Sequence, residues 1–255
     1  SHFGPGLRPR PPTRARGARP CPSMPVLEVD DASNVEYRTM ADADVAAVLP
    51  VIARAFHEGE PVTGVGKSTL EDWTRFSQMY LPRMAAEGNT IIAVDTGTQA
   101  VLGAFLNEDY CNTDPPEFDA FAGAAEGDWE PCLTMVGEIE DTFNAAHGVP
   151  QHDRPPGRWF HLWMIGVDSH ARGRSIGRKL CTHSIAWAKA RGFEVAFAEC
   201  TGAISTHLLT KHTGASVESF IDYSQWDGCG TAATLRGLPA AGHPGMSLTV
   251  VRLLP

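Results

Sequence analysis

The stretch WFHLWMIGVDSHARGRSIGRK, residues 159–179, decides the predicted fold of this chain. Residues 159–167 form an apolar run that is typical of a buried strand, and a short polar turn follows. The segment 172–177, Arg-Gly-Arg-Ser-Ile-Gly, then leads directly into residues with the apolar spacing of an amphipathic helix. The first N–H groups of a helix lack partners within it, and the helix dipole favours an anion there. The pattern therefore predicts a strand, a small-residue loop and a helix whose start binds a pyrophosphate.

This loop differs from the two best-known phosphate-binding loops, because no Gly-Lys-Ser/Thr follows it and GxGxxG is absent. It resembles the acetyl-CoA loop of the GCN5-related N-acetyltransferase (GNAT) superfamily, whose pattern is Arg/Gln-x-x-Gly-x-Gly/Ala. Arg172 and Gly177 hold the outer positions, and Ser175 replaces the inner glycine. We expect Ser175 to keep an exposed N–H with a negative φ. An ordinary strand–turn–helix is the alternative interpretation.

The resemblance implies which residues bind the co-substrate, acetyl-CoA. The loop residues expected to bind CoA are Arg172, Gly173, Arg174, Ser175, Ile176 and Gly177. The end of the preceding strand, Ile165, Gly166 and Val167, should supply a backbone N–H to the thioester carbonyl. Arg178 is a further candidate for neutralising phosphate charge.

Hydrophobic periodicity predicts the other elements of the chain. The predicted strands are 35–38, 90–95, 100–106, 194–199, 217–223 and 247–254, and the predicted helices are 42–56, 70–86, 133–146, 176–191 and 203–212. Thr39 is expected to cap the first helix, and residues 59–68 to be turns. This order is similar to that of the acetyltransferase superfamily. The resemblance implies an α/β (α+β) fold with a central mixed sheet flanked by helices, whose central strands, ending near Val167 and Glu199, splay apart around pantetheine.

Length and composition indicate one domain with a tail. A chain of 255 residues can bury one large core, and we expect the N-acetyltransferase domain to span 35–255. Residues 1–34 are expected to be a disordered Arg- and Pro-rich tail. Met24 is a candidate start, and an organelle transit sequence is the alternative for residues 1–23. No segment has the apolar length of a membrane helix, so we expect a soluble, cytoplasmic protein without membrane partners.

Charge indicates the kind of partner. Residues 1–23 contain five arginines and no acid, so removing them takes the formal net charge from −9 to −14. Such an acidic body lacks the basic footprint of a nucleic-acid-binding protein, and we expect no nucleic-acid partner. It suits a cationic small molecule such as an amine.

Cysteine and histidine spacing gives no indication of a metal. The six cysteines are scattered without a zinc-ligand pattern, and free thiols are expected. His147 and His152 lie in a Pro-rich segment, while His207 and His212 are too far apart for i, i+4 ligation. We therefore predict no metal site.

Two residues are candidate bases for acetyl transfer to an amine. The segment 56–61, Phe-His-Glu-Gly-Glu-Pro, resembles the Phe…Glu-Pro motif of insect-type arylalkylamine N-acetyltransferases, in which the Glu before Pro acts as base through water. Segments 102–107, 201–205 and 221–226 are similar to the same family. The resemblance implies that Glu60 is the base and that Phe56 and Pro61 contact the substrate. An exposed turn carboxylate is the alternative for Glu60.

The second candidate base is His161, on the central predicted strand. Vertebrate arylalkylamine N-acetyltransferases carry His-x-His on this strand; His161 matches the first histidine, and Trp163 occupies the second position. A histidine titrates near neutral pH and can relay protons. Strand alternation predicts that His161, Trp163 and Ile165 share one face, so that Trp163 would line the acceptor site. A histidine that points away from the site is the alternative.

The general acid has a weaker signature. Many superfamily members use a Tyr four residues before the Gly that closes the last helix, but counting back from Gly214 reaches Thr210. Ser205 is the substitute that the insect-type resemblance suggests, and a surface helix residue is its alternative. Residues 107–158 are longer than a plain connection and are expected to form a lid or wall of the acceptor site.

These observations favour an acetyl-CoA-dependent N-acetyltransferase that acts on a small arylalkylamine by direct attack in a ternary complex. A polyamine, amino acid, drug-like amine or protein N-terminus is the alternative acceptor. A non-catalytic acyl-CoA sensor is the alternative from another class. A monomer and a homodimer both remain open.

Overall fold

The computed structural model describes residues 25–124 and 129–254, which form one mixed sheet with helices on both faces. The strands are β1 (Val26–Asp30), β2 (Val35–Thr39), β3 (Ile91–Asp95), β4 (Val101–Asp109), β5 (Trp159–Val167), β6 (Val195–Cys200), β7 (Ser216–Asp222) and β8 (Gly245–Arg252). The helices are α1 (Val45–Gly59), α2 (Pro61–Gly66), α3 (Leu70–Glu87), α4 (Phe118–Ala124), α5 (Glu130–His147), α6 (Ile176–Ala190) and α7 (Ala203–Thr213). The predicted α/β fold with a helix-flanked mixed sheet is confirmed.

The strands follow the order β1-β2-β3-β4-β5-β6-β8-β7, and all neighbours are antiparallel except β5 and β6. That parallel pair is short: it joins Trp159 to Val195, Phe160 to Ala196 and His161 to Phe197. Beyond His161, both strands continue without pairing to each other. They therefore splay into a cleft that opens toward Val167 and Cys200.

A β-bulge on β5 changes which side chains face the cleft. Leu106 of β4 is opposite Met164, but Asn107 is opposite Leu162, so Trp163 is the extra residue. Trp163 and Met164 both pack in the cluster around α1 and α3, whereas Ile165 packs in the cluster under α6. The prediction that Ile165 shares a face with His161 and Trp163 is wrong, because the bulge breaks the two-residue alternation.

Helices cover the two faces of the sheet unequally. α1, α3 and α5 lie on one face, and α6 with α7 lies on the other. On α1, Val48 and Ile52 are fully buried, as the helical spacing predicts. Residues from helices on both faces line the splayed cleft.

The amino-terminal boundary differs from the prediction. β1 pairs with β2 as a hairpin, so residues 26–34 belong to the domain and are not part of a disordered tail. Lys179 of α6 contacts both Glu28 and Asp30 of this hairpin. The five arginines of residues 1–23 lie outside the described residues.

The first helix starts with a different cap from the predicted one. Thr39 ends β2, and a 3-10 turn at Asp42–Asp44 precedes α1. The Asp44 carboxylate accepts a hydrogen bond from the Ala41 N–H at 2.8 Å and a bidentate pair from Arg38 at 2.6 and 2.7 Å. Asp44 therefore fixes this turn, because its two oxygens hold both a backbone donor and a guanidinium.

Two helices were not predicted. Residues 59–68, expected as turns, contain the short helix α2, and α4 lies inside the segment 107–158. α5 begins three residues before the predicted start. Among the described residues, none of the helices is long and apolar enough to cross a membrane. Their five cysteines, 111, 132, 181, 200 and 229, are free thiols.

Candidate functional site

One large cavity, of about 1840 Å³, follows the splayed cleft through the molecule. At one end it is lined by the loop before α6, and at the other by residues from α1, α2, α3 and α5. The strand ends Val167 and Cys200 both reach it. A single space therefore connects the predicted phosphate loop to the predicted acceptor wall.

The loop places its backbone at the cavity. Gly173 has φ +82°, which glycine adopts without a steric penalty, and Gly173, Ser175, Ile176 and Gly177 all line the cavity. Ser175 is the residue before α6 and has φ +60°, so the expectation of a negative φ is wrong. Within the described residues its hydroxyl does not cap the helix. The first N–H groups of α6 therefore remain available to an anion.

The loop arginines divide into two groups. Arg172 and Arg178 are exposed at the cavity, and Arg172 contacts the Glu58 carboxylate at 3.3 Å. Arg174 does not line the cavity, because its guanidinium donates to the Ser33 carbonyl at 2.6 Å. The prediction that Arg174 contacts the cofactor is not supported by its position.

The end of β5 lies beside the open cleft. Ile165, Gly166 and Val167 line the cavity, and their edge toward β6 has no strand partner within the described residues. Gly166 packs against α1: a Cβ on it would lie 2.9 Å from the Ala55 Cβ. The close approach of α1 to β5 therefore depends on this glycine.

The segment 56–61 joins α1 to α2 at the cavity wall. Phe56, Glu60 and Pro61 all line the cavity, and Pro61 occupies the first position of α2. Glu60 is buried and caps α2: Oε1 accepts from the Val62 N–H at 3.0 Å, and Oε2 accepts from the N–H and hydroxyl of Thr63, each at 2.5 Å. Glu60 is therefore not the exposed turn carboxylate of the alternative interpretation.

Aromatic side chains from α1, α3 and β5, together with the residue before α5, form an aromatic wall, defined here as Phe56, Trp73, Phe76, Tyr80, Trp129 and Trp163, all of which line the cavity. The rings contact each other: Phe56 lies 4.9 Å from Trp73, and Trp163 lies 4.5 Å from Tyr80, measured between centroids. The predicted place of Trp163 at the acceptor side agrees with this geometry. Phe56 and Trp163 are half-buried and can contact an apolar or aromatic ligand, whereas the other four rings are buried.

His161 lies at the foot of the cleft and is only 3% exposed. Its Nδ1 is 3.2 Å from Glu108 Oε1, its Nε2 is 2.8 Å from Glu199 Oε2, and its ring stacks on Phe197 at 4.7 Å. Ionised carboxylates only accept hydrogen bonds, so both ring nitrogens carry protons. Burial alone would lower the pKa of His161, but the carboxylates of Glu199 and Glu108 outweigh burial and raise this pKa to about 10.

Further carboxylates surround this histidine. Burial, together with the neighbouring Glu199 carboxylate, raises the pKa of Glu140 to about 7. Burial opposes ionisation of Glu108, yet its hydrogen bond to His161 and the guanidinium of Arg83 hold the pKa of Glu108 below its ordinary value. The ligating atoms of Glu140, His161 and Glu199 all lie within 4.8 Å of one another. This part of the cavity can hold a cation.

The candidate acid lies at the start of α7. The Ser205 hydroxyl lines the cavity and donates to the Gly202 carbonyl at 2.9 Å. Thr210, at the position of the missing tyrosine, does not line the cavity, and its hydroxyl donates to the Thr206 carbonyl. Of these two positions on α7, only that of Ser205 lines the cavity.

Three acidic residues of the site were missed by the sequence analysis: Glu108, Glu140 and Glu199. Glu199 had a signal, because a lone acid in the apolar strand Val-Ala-Phe-Ala-Glu-Cys must be buried with a partner. Glu108 follows the predicted end of its strand, and Glu140 is one of several acids on α5. Only the tertiary structure brings these three together.

Residues 103–214 match the model of the "Acetyltransferase (GNAT) family". A search of curated protein sequences gives no significant match.

Solved structures share the fold across the chain. Arylalkylamine N-acetyltransferase 2 from Aedes aegypti has a TM-score of 0.68 at 20% identity and covers 87% of this chain and 100% of its own. A polyamine N-acetyltransferase from Drosophila melanogaster, which forms N-acetylagmatine, has a TM-score of 0.62 at 18% identity over 86% of this chain and 99% of its own. An agmatine N-acetyltransferase has a TM-score of 0.66 at 18% identity with the same coverage.

Proposed function

Residues 103–214 belong to the acetyltransferase (GNAT) family, and on that premise we propose that the protein transfers the acetyl group of acetyl-CoA to the primary amine of a small arylalkylamine. The observation that carries this proposal is the single cavity that joins the loop before α6 to the aromatic wall. Acetyl transfer requires both substrates in one space, and their alignment can supply most of the rate.

The residues at one end of the cavity fit acetyl-CoA. The first N–H groups of α6 and the backbone of Gly173 and Gly177 can bind its pyrophosphate, and Arg172 and Arg178 add positive charge. Pantetheine fits the gap between β5 and β6, where the edge of β5 lacks a strand partner in the described residues. A free N–H near Ile165 can then donate to the thioester oxygen as negative charge grows there.

The aromatic wall supports an arylalkylamine as the acceptor. Phe56 and Trp163 line the cavity, and Glu60 follows Phe56 by four residues, with its N–H donating to the Phe56 carbonyl at 2.8 Å. An aryl ring that stacks on the wall would place its alkylammonium group toward the Glu60 carboxylate. The acidic net charge of the chain, −9, favours the approach of a cationic substrate.

Glu60 is the base in this proposal. A carboxylate has about four acceptor positions, and three of those of Glu60 are occupied by α2. The remaining position can accept from a water that takes the proton of the ammonium group. His161 suits this role less well, because both of its nitrogens already donate to carboxylates.

The chemical step follows from these positions. The neutral amine nitrogen attacks the thioester carbonyl carbon, and the tetrahedral intermediate collapses as the C–S bond breaks. The ammonium proton passes from the water at Glu60 to solvent before attack, so that this water can accept the second amine proton as the intermediate collapses. Ser205 would donate a proton to the departing thiolate after its hydroxyl rotates away from the Gly202 carbonyl, and would regain one from solvent.

The test is acetyl-CoA turnover, followed by thiol release, against a panel of amines. Tryptamine, dopamine and phenethylamine should have higher kcat/KM than spermidine, agmatine and an N-terminal peptide. Both Glu60→Ala and His161→Ala are compared with the unmodified protein, and Glu60→Ala should lose turnover while CoA binding persists. Preference for spermidine or agmatine would reject the arylalkylamine, and CoA binding without turnover of any amine would indicate a sensor.

A further inference from the structure

Glu140, His161 and Glu199 come from α5, β5 and β6 and meet at the foot of the cleft. Their ligating atoms lie within 4.8 Å of one another, and all three residues line the cavity. The acetyl transfer proposed above assigns no step to Glu140 or Glu199. The grouping of an imidazole with two carboxylates therefore requires its own explanation.

Glu199 provides a second, independent observation. Its side chain is only 4% exposed; Oε2 contacts His161 Nε2, but Oε1 has no hydrogen-bond partner within the described residues. A buried carboxylate oxygen without a partner is unfavourable, because it has lost its hydration and gained nothing in return. A cation bound beside this carboxylate would supply the missing partner.

Glu108 orients the histidine as an outer-sphere residue of a metal site would. Its Oε1 lies 3.2 Å from His161 Nδ1, and Arg83 contacts its other oxygen. Metal-binding histidines usually donate the second ring N–H to a carboxylate, which fixes the ring and leaves the other nitrogen for the metal. His161 Nε2 accordingly faces Glu199.

We propose that Glu140, His161 and Glu199 bind one divalent transition-metal ion of the Zn²⁺ class. Imidazole and carboxylate donors suit such an ion, whereas Mg²⁺ and Ca²⁺ prefer oxygen ligands alone. Two ligands that are each about 2.1 Å from one ion lie about 3.0–3.4 Å apart. The separation of 2.8 Å between Nε2 and Glu199 Oε2 is close to this range.

Binding requires a small rearrangement and a balanced proton exchange. The ion takes the place of the proton on His161 Nε2, which is released to solvent, and Glu140 turns toward the ion. Three protein ligands leave a fourth position open to the cavity. This inference departs from the sequence-based expectation that the chain has no metal site, and it does not depend on the proposed acetyl transfer.

The first experiment measures binding of ZnCl₂ to EDTA-treated, dialysed protein without a polyhistidine tag, by calorimetry. We expect one ion per chain, with affinity reduced at least tenfold in Glu140→Gln and in Glu199→Gln. Glu108→Gln should weaken binding by about 10- to 100-fold without changing the stoichiometry. The control is Glu218→Gln, whose carboxylate contacts His147 at 2.8 Å outside the cavity and whose loss should leave the affinity unchanged.

The second experiment locates the ion without relying on variants that could misfold. Crystals of the unmodified protein soaked in ZnCl₂ should give an anomalous peak, at the zinc edge, between the three side chains. A peak confined to His147 and Glu218, or no peak, would overturn the proposal. Failure to bind zinc combined with agmatine binding that depends on Glu140 would also overturn it, by assigning the cluster to an organic cation.

Discussion

Glu60 has two separable roles in this structure, and substitution can distinguish them. It caps α2, and it is the proposed base. Replacing Glu60 by Ala removes the acceptor of two N–H groups and of the buried Thr63 hydroxyl. Loss of a cap costs about 1 kcal/mol, and a buried unpaired hydroxyl costs about 1–3 kcal/mol. Glu60→Ala should therefore lower the free energy of unfolding by about 2–4 kcal/mol.

Asparagine separates the cap from the base, because it is among the best N-cap residues but cannot take a proton. Glu60→Asn should lose less than about 1 kcal/mol of stability, yet kcat/KM should fall about 10²- to 10⁴-fold as for any lost general base. Glu60→Asp, which keeps both functions with a shorter side chain, is the matched control and should retain most of both.

The assays are thermal unfolding and the pH dependence of kcat/KM with tryptamine. If Glu60 only removes the ammonium proton, the deficit of Glu60→Asn should shrink toward pH 10, where an alkylamine with a lysine-like pKa near 10.4 is increasingly neutral. Activity of Glu60→Asn equal to that of the unmodified protein at pH 7 would refute the reasoning and leave Glu60 as a cap alone.

Three further predictions concern the frame of the site. Ser175→Gly should raise the free energy of unfolding by about 0.5–1 kcal/mol. The φ of +60° penalises serine by about 1–2 kcal/mol, and the greater conformational entropy of glycine in the unfolded chain cancels part of the gain from removing that penalty. Chemical denaturation measures the change in unfolding free energy, and destabilisation would contradict the prediction. Gly166→Ala should lower the free energy of unfolding by about 1–3 kcal/mol, because the added Cβ would lie 2.9 Å from the Ala55 Cβ. The same contact should displace α1 and so lower kcat. Unchanged kinetics would count against the argument. Burial raises the pKa of Asp44, but the hydrogen bonds from Arg38 and from the Ala41 N–H outweigh burial and lower this pKa below its ordinary value of 3.8. The stabilisation from Asp44 is therefore complete above pH 3.8 and is lost as the pH falls through the folded-state pKa. Asp44→Asn should therefore cost about 1–2 kcal/mol at pH 7 and little near pH 2, and a pH-independent difference in urea unfolding would argue against this pairing.

The features that sequence predicted best are local. The strand, loop and helix of residues 159–190 follow from a continuous apolar run, a small-residue loop and helical spacing, and each of these signals lies within one segment. The resemblance of residues 56–61 to a known motif singles out Glu60, and this residue lines the cavity. Its buried capping role was not foreseen, since α2 is too short to show a periodic pattern.

The features that sequence could not predict depend on distant partners. The bulge at Trp163 is set by the register with β4, which a single strand does not reveal. Arg174 turns away from the cavity because the Ser33 carbonyl, 141 residues earlier, accepts from it. Glu108 and Glu199 are 53 and 38 residues from His161, so only the assembled sheet shows that they share this histidine.

The splay of β5 from β6 divides the sheet into two mechanical units, a five-stranded half and a three-stranded half. Three residue pairs hold these halves together by backbone hydrogen bonds. A ligand that lies in the gap and bonds to both strands links the two halves, so its binding stabilises the junction of β5 and β6. Among the inner strands, hydrogen exchange should accordingly be fastest at the junction of β5 and β6 in the free protein, and it should slow there most when CoA binds.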